Sequence, residues 1–185
     1  MTLTLDRPFT ASGPVHWGAR FIYTHATAEQ NGNDLFSLDL PSAADYARHP
    51  VAGSEPNHFL ATGLVGIPWD IRLSTTITWG DGPAVPVFDF SQGFGYNDRF
   101  KTGVLNRAVY PPGGYRQLDF RLAKDFNVGK GRIGASLDVI NATNHANYGC
   151  LSNFQAPDTN PSTLGQPGCT VTLGRREQVG LKYTF

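Results

Sequence analysis

The strongest constraint on this chain is a period-two alternation that returns again and again along its length. In YRQLDFRLAKDFNVGKGRIGASLDVIN, from Tyr115 to Asn141, Leu118, Phe120 and Leu122 share one parity, and Gln117, Asp119 and Arg121 share the other. After NVGKG the pattern resumes, with Ile133, Ala135, Leu137 and Val139 against Arg132, Gly134, Ser136 and Asp138. Successive side chains of an extended chain point to opposite faces, so the pattern marks strands with one apolar face. NVGKG supplies an Asn and two Gly for positive φ, which predicts a hairpin. Trp17, Ala19, Phe21 and Tyr23 alternate in the same way with Gly18, Arg20, Ile22 and Thr24, and Ile71, Leu73, Thr75, Ile77 and Trp79 alternate with Arg72, Ser74, Thr76 and Thr78. At the end of the sequence, Val179, Leu181, Tyr183 and Phe185 oppose Gln178, Gly180, Lys182 and Thr184.

About seven strand candidates emerge, and their connections alternate between short and long. TLTLDRPF reaches VHWGARFIYTHAT through TASGP, and NHFLATGLVGI is separated from IRLSTTITWG only by Pro68, Trp69 and Asp70. Between these pairs run long polar connections, about Ala28 to Pro56, Gly80 to Gly114 and Ala142 to Gly174. Short turns are therefore expected at one end of a sheet and long loops at the other. The 21 Gly and 13 Pro fit such a turn-rich, all-β chain. Charged residues make up 16% and aromatics 12%, against roughly 25% charged in ordinary soluble domains. With 15 basic and 15 acidic residues, no net field favours nucleic acid. No stretch has the roughly 18 consecutive apolar residues of a membrane helix, and MTLTLDRPFT lacks a signal peptide's basic start and apolar centre. Strands that cross a membrane need only about 9–11 alternating residues, so a transmembrane barrel remains open.

The polar parities carry Arg20, Arg72, Asp119, Arg121, Arg132 and Asp138 among Thr, Ser and Gly. Such charges are costly in the dry core of a sandwich and suit a wet or filled barrel lumen. A tight turn at NVGKG would bring Arg121 near both Asp119 and Asp138. Trp17, Tyr23, Trp79, Tyr110, Tyr115 and Tyr183 lie near strand ends and are expected as interface girdles in preference to core residues or sugar-stacking platforms. Cys150 and Cys169 fall in the last long loop and are expected to form a disulfide, consistent with an oxidising compartment. The five His, at 16, 25, 49, 58 and 145, lack ligand spacing, so neither metal nor cofactor is expected. No GxSxG, HExxH or phosphate-loop pattern occurs, and no enzymatic activity is expected.

Three stretches, YRQLDFRLAKDFNVGKGRIGASLDVINATNHANYG, PNHFLATGLVGIPW and GRREQVGLKYTF, resemble the C-terminal barrel of TonB-dependent outer-membrane receptors, especially the Oar-like group with a carboxypeptidase-regulatory-like domain. The resemblance implies that residues 1–185 are the C-terminal portion of an antiparallel up-and-down transmembrane β-barrel, with short periplasmic turns and long extracellular loops. By family expectation such barrels have about 22 strands, so this would be the terminal third, without the plug, the signal peptide or the TonB-contacting segment. Gln178, Gly180, Tyr183 and Phe185 match the family's terminal assembly signal, read by the barrel-assembly machinery. The implied setting is the bacterial outer membrane, with lipid, the plug domain, TonB and a bulky nutrient as partners of the full-length receptor. The long loops would face that ligand. Two alternatives stay open from the residues alone: a small self-contained outer-membrane barrel with a structural or adhesion role, and a soluble β-sandwich that binds carbohydrate.

Overall fold

A computed structural model describes residues 1–10, 15–31, 48–89, 107–111, 113–152, 154–155 and 165–185. All regular structure among them is β. Seven strands form one antiparallel sheet: β1 (Thr2–Arg7), β2 (His16–His25), β5 (Asn57–Ile67), β6 (Ile71–Gly80), β9 (Tyr115–Val128), β10 (Gly131–Ile140) and β14 (Arg176–Thr184), paired in that order. Each strand neighbours the sheet strand nearest to it in sequence, which is an up-and-down meander. The bounds of β5 and β6 coincide with the strand candidates NHFLATGLVGI and IRLSTTITWG, and in the second the alternation specifies the register as well.

The remaining strands lie in the long connections. β3 (Glu29–Asn31) pairs with β4 (Arg48–Pro50), β7 (Val85–Asp89) with β8 (Arg107–Val109), and β11 (Tyr148–Leu151) with β13 (Pro167–Thr170). β12 (Phe154–Gln155) crosses from the third connection to run parallel to β7 in the second. The first connection joins them through Gly53 N–H donating to Ala84 O and Ala84 N–H donating to Ser54 O. Three loops separated in sequence thus form one platform at one end of the sheet.

At the other end the turns are tight. Gly129 and Lys130 alone link β9 to β10, and Gly129 has φ +60°, as such a turn requires. Asn127 and Gly131 are strand residues, not turn residues as expected from NVGKG, since the ladder continues to the pair Val128 and Gly131. The turn between β5 and β6 places two residues other than glycine, Trp69 and Asp70, at φ 71° and 57°. Left-handed backbone costs about 1–2 kcal/mol per such residue.

The hairpins are staggered. Ile71, the first residue of β6, stands opposite Lys124, so Asp125 to Val128 of β9 extend past the start of β6. At the platform end β9 starts at Tyr115 while β10 reaches only the level of Phe120. A stepped register of this kind tilts strands relative to the sheet, as curvature toward a barrel requires. β1 and β14 each pair on one side only among the described strands, so the described sheet is open and no closed barrel is formed.

Candidate functional site

Residues opposite one another in an antiparallel ladder share a face, so the pairings assemble two surfaces from the individual alternations. One surface carries Leu3 and Leu5 of β1, Trp17, Phe21 and Tyr23 of β2, Phe59, Val65 and Ile67 of β5, and Leu73, Ile77 and Trp79 of β6. It continues through Leu118, Phe120 and Leu122 of β9 and Ile133 and Leu137 of β10 to Val179, Leu181 and Tyr183 of β14. No second sheet covers it among the described residues, and Leu181 is 78% exposed. Among the described residues of the sheet only Ala61 and Val139 are buried apolar side chains. This apolar surface extends over all seven strands, with Thr75 within it and Arg7, Lys124, Arg116 and Glu177 on the same parity, whereas monomers in water leave open apolar patches of only about a few hundred Å².

Aromatics stand at both margins of this surface. Tyr23, Phe59 and Trp79 form one cross-strand row at the platform end, and Arg116 continues the row. Toward the turns lie Trp17, with the Arg7 guanidinium 3.6 Å from its ring centroid, Phe126, with the Lys124 ammonium at 5.0 Å, and Tyr183. Trp69 of the turn is 79% exposed. Of the six aromatics expected as girdles, Tyr115 lies on the opposite face, its hydroxyl donating to Gln117 Oε1 at 2.7 Å, and Tyr110 belongs to the platform.

The opposite surface is polar and internally paired. Asp125 Oδ2 accepts from Arg72 Nη2 at 2.6 Å and lies 3.0 Å from Arg132 Nη2, which is 3.9 Å from Asp70. Arg121 Nε lies 3.5 Å from Asp138 Oδ1, and its Nη2 donates to Ser136 Oγ at 3.2 Å. Asp119 does not join Arg121 as expected: Gln117 Nε2 donates to its Oδ2 and the Asn141 backbone N–H to its Oδ1. The four expected lumen charges, Asp119, Arg121, Arg132 and Asp138, therefore share one face, divided between a cluster at the turns and a cluster toward the platform. Balanced charges on neighbouring strands stabilise only modestly while exposed, so this face is built for water or a polar partner rather than for a dry core.

Gln178 and Gly180 of the terminal strand lie on the polar face opposite Asp138 and Ser136, where a Cβ on Gly180 would come within 2.7 Å of Ser136 Oγ. Tyr183 lies on the apolar face beside Gly131, its ring filling the space that a side chain there would take. Phe185 is 100% exposed, its ring centroid 6.2 Å from that of Tyr183. The four residues of the expected assembly signal thus divide two and two between the faces of one edge strand.

Among the described residues the two fully buried polar side chains, Asn141 and Asn147, lie in the platform, and the sequence marked neither as a site. Asn147 Oδ1 accepts from Arg116 N–H at 2.6 Å and its Nδ2 donates to Arg116 O at 2.9 Å, so one amide pairs both backbone groups of that residue. Asn141, at φ 53°, donates through Nδ2 to His145 O and Leu173 O and accepts from His145 N–H. Together they fasten the third loop to the start of β9 and the end of β10. Cys150 and Cys169 face each other across the β11–β13 pair, with Cα atoms 5.1 Å apart and their sulfurs bonded. In the first loop, Glu55 receives Gly82 N–H and pairs with His58 Nδ1 at 3.0 Å, while Asp81 Oδ2 receives both N–H and Nδ2 of Asn57. Asp81 thus fastens the second loop to the start of β5. Ring nitrogens of His16 and His145 are buried without a hydrogen-bond partner among the described residues, and no group of His, Cys, Asp or Glu there has the geometry to hold a metal ion. Comparison with protein-family models, with curated proteins and with solved structures yields no match to this chain.

Proposed function

We propose that the chain forms the C-terminal part of an outer-membrane β-barrel wall, and that the whole protein is a TonB-dependent receptor of the Oar-like group. In this reading the apolar face meets lipid, the ion-paired face lines the lumen against the plug, and the loop platform faces outward toward a bulky nutrient. The observation that carries it is the mainly apolar face extending over seven antiparallel strands, uncovered among the described residues and backed by a paired polar face. Six of those strands have 9–14 residues, long enough for the hydrocarbon core, which takes about 9–11 tilted residues. The one-sided pairing of β1 and β14 among the described strands favours a larger barrel over a self-contained one, and a sandwich would need a second sheet on the apolar face. The chain itself contributes wall and binding surface, not catalysis.

The test is dilution of urea-unfolded chain into lipid vesicles, into detergent micelles and into plain buffer. Sheet structure that forms only with lipid or detergent supports a wall; a monodisperse folded protein in plain buffer contradicts it. The assembly role of the terminal strand is separate. In the full-length protein, Phe185→Asp is expected to lower the outer-membrane level severalfold, and unchanged assembly removes that role.

A further inference from the structure

At the turn end of the polar face lies a pocket of about 450 Å³, within the size range of small-molecule sites. Two glycines shape one side of it. Past β1 the chain folds back over the ladder, and the Phe9 backbone rests on Gly18, where a Cβ would come within 2.7 Å of Phe9 N. The Phe9 ring stands beside that of His16, with 6.2 Å between centroids, over Gly66, where a Cβ would lie 3.8 Å from both side chains. Two rings thus form an apolar wall on a face that is otherwise charged. The same pocket is lined by Arg72 and Arg132, both half-exposed, and by two carboxylates that differ in kind. Asp125, 17% exposed, is locked between the guanidiniums, at 2.6 Å from Arg72 Nη2 and 3.0 Å from Arg132 Nη2. Asp70, 61% exposed, stands 3.9 Å from Arg132 Nη2, at the limit of an ion pair.

We propose that this pocket binds a carboxylate carried on an aromatic ring, the ring against Phe9 and His16 and the carboxylate on Arg132 and Arg72, where it displaces Asp70 as the outer counterion. The charge count sets the ligand. Two guanidiniums on one locked carboxylate leave one positive charge, which a carboxylate neutralises and a phosphate dianion beside Asp125 overshoots. A planar guanidinium takes two carboxylate oxygens at once, and a flat ring gains offset or edge contacts against the two aromatic walls. An anion without a ring would leave that wall unused. The site lies on the ion-paired face, so it goes beyond the membrane reading and holds whatever medium covers the other face.

The experiment is equilibrium dialysis of the full chain, in whichever of nonionic detergent or buffer keeps it monodisperse, with phenylacetate, phenylacetamide, acetate and phenyl phosphate, each against a protein-free blank. The amide, the ringless acid and the phosphate are each expected to bind about tenfold more weakly than phenylacetate, or worse. Arg132→Gln is expected to lose phenylacetate by a similar factor, and Phe9→Ala to weaken phenylacetate severalfold while leaving acetate unchanged. Asp70→Asn removes the competing carboxylate, and Asn tolerates the left-handed backbone at φ 57°, so phenylacetate is expected to bind severalfold more tightly. A damaged fold cannot produce that gain. An amide or acetate that binds as well as phenylacetate overturns the proposal, as does phenyl phosphate binding more tightly or an Asp70→Asn variant without a gain. A tripeptide ending in phenylalanine separates the two sources of this chemistry: binding tighter than phenylacetate points to a polypeptide C-terminus, and weaker binding to a free aromatic acid.

Discussion

Asn141 and Asn147 of the loop platform are 1% and 0% exposed, while along the sheet below them large apolar residues such as Leu5, Phe21, Leu122 and Val179 stand open. The platform is held by internal bonds: the Asn147 amide takes both backbone groups of Arg116, and the Cys150–Cys169 bond joins β11 to β13. The wall satisfies its backbone through the ladder but leaves its side chains to the surroundings. A platform with its own core keeps its shape in water, whereas the wall needs a medium that makes burial of its apolar face favourable. That difference is what a lipid-facing wall with an outward loop cluster demands.

Asn147→Ala attacks the platform alone and carries the largest expected effect. It strips partners from one part-buried N–H and one part-buried C=O, at about 1–3 kcal/mol for each group. Hydrogen exchange is expected to rise at Arg116 and through β11 and β13 while the amides of β5 and β6 keep their protection; an equal rise in the sheet would mean that the two regions are one cooperative unit. Phe120→Arg attacks the wall alone. Phe120 lies near the middle of β9, and a cation at the bilayer midplane costs roughly 2–4 kcal/mol, read by urea unfolding from vesicles. A negligible loss would mean that this face does not meet lipid.

Arg121→Leu, at the next position and on the other face, sharpens the contrast. It removes an exposed pair with Asp138, worth about 1 kcal/mol or less, and the loss is expected to shrink as salt is raised. The smallest effect is expected at the turn end, where Trp69→Gly relieves a left-handed backbone and raises stability by about 1 kcal/mol in detergent. In vesicles the gain is expected to be smaller, because the exposed indole is lost as an interfacial anchor.

The wall was far more legible than the platform. Alternation marked β6 to the residue and sorted Phe120 from Arg121, because a period of two is a local property of the chain. The platform depends on contacts between loops. β12 has two residues and its partner β7 lies some 65 positions away in sequence, roughly the separation of Phe154 from Phe88, so no local pattern announces it. Asn141 and Asn147 read as ordinary loop residues, since the burial of a side-chain amide is decided by what it bonds. The Asp119–Arg121 pairing failed for the same reason: neighbouring residues of one parity were visible in sequence, but the competing donors, Gln117 and the backbone of Asn141, were not. Arg116 gave one signal, a charge on the apolar parity of a strand.

The central claim is that the two faces of β9 meet different media. Single cysteines placed in turn at positions 118 to 122, with Cys150 and Cys169 left bonded, and labelled with a small fluorophore in protein reconstituted into vesicles, read this directly. Quenching by a lipid-borne quencher is predicted at 118, 120 and 122, and quenching by a water-borne quencher at 119 and 121. Equal quenching at all five positions, or the reverse alternation, would contradict the account.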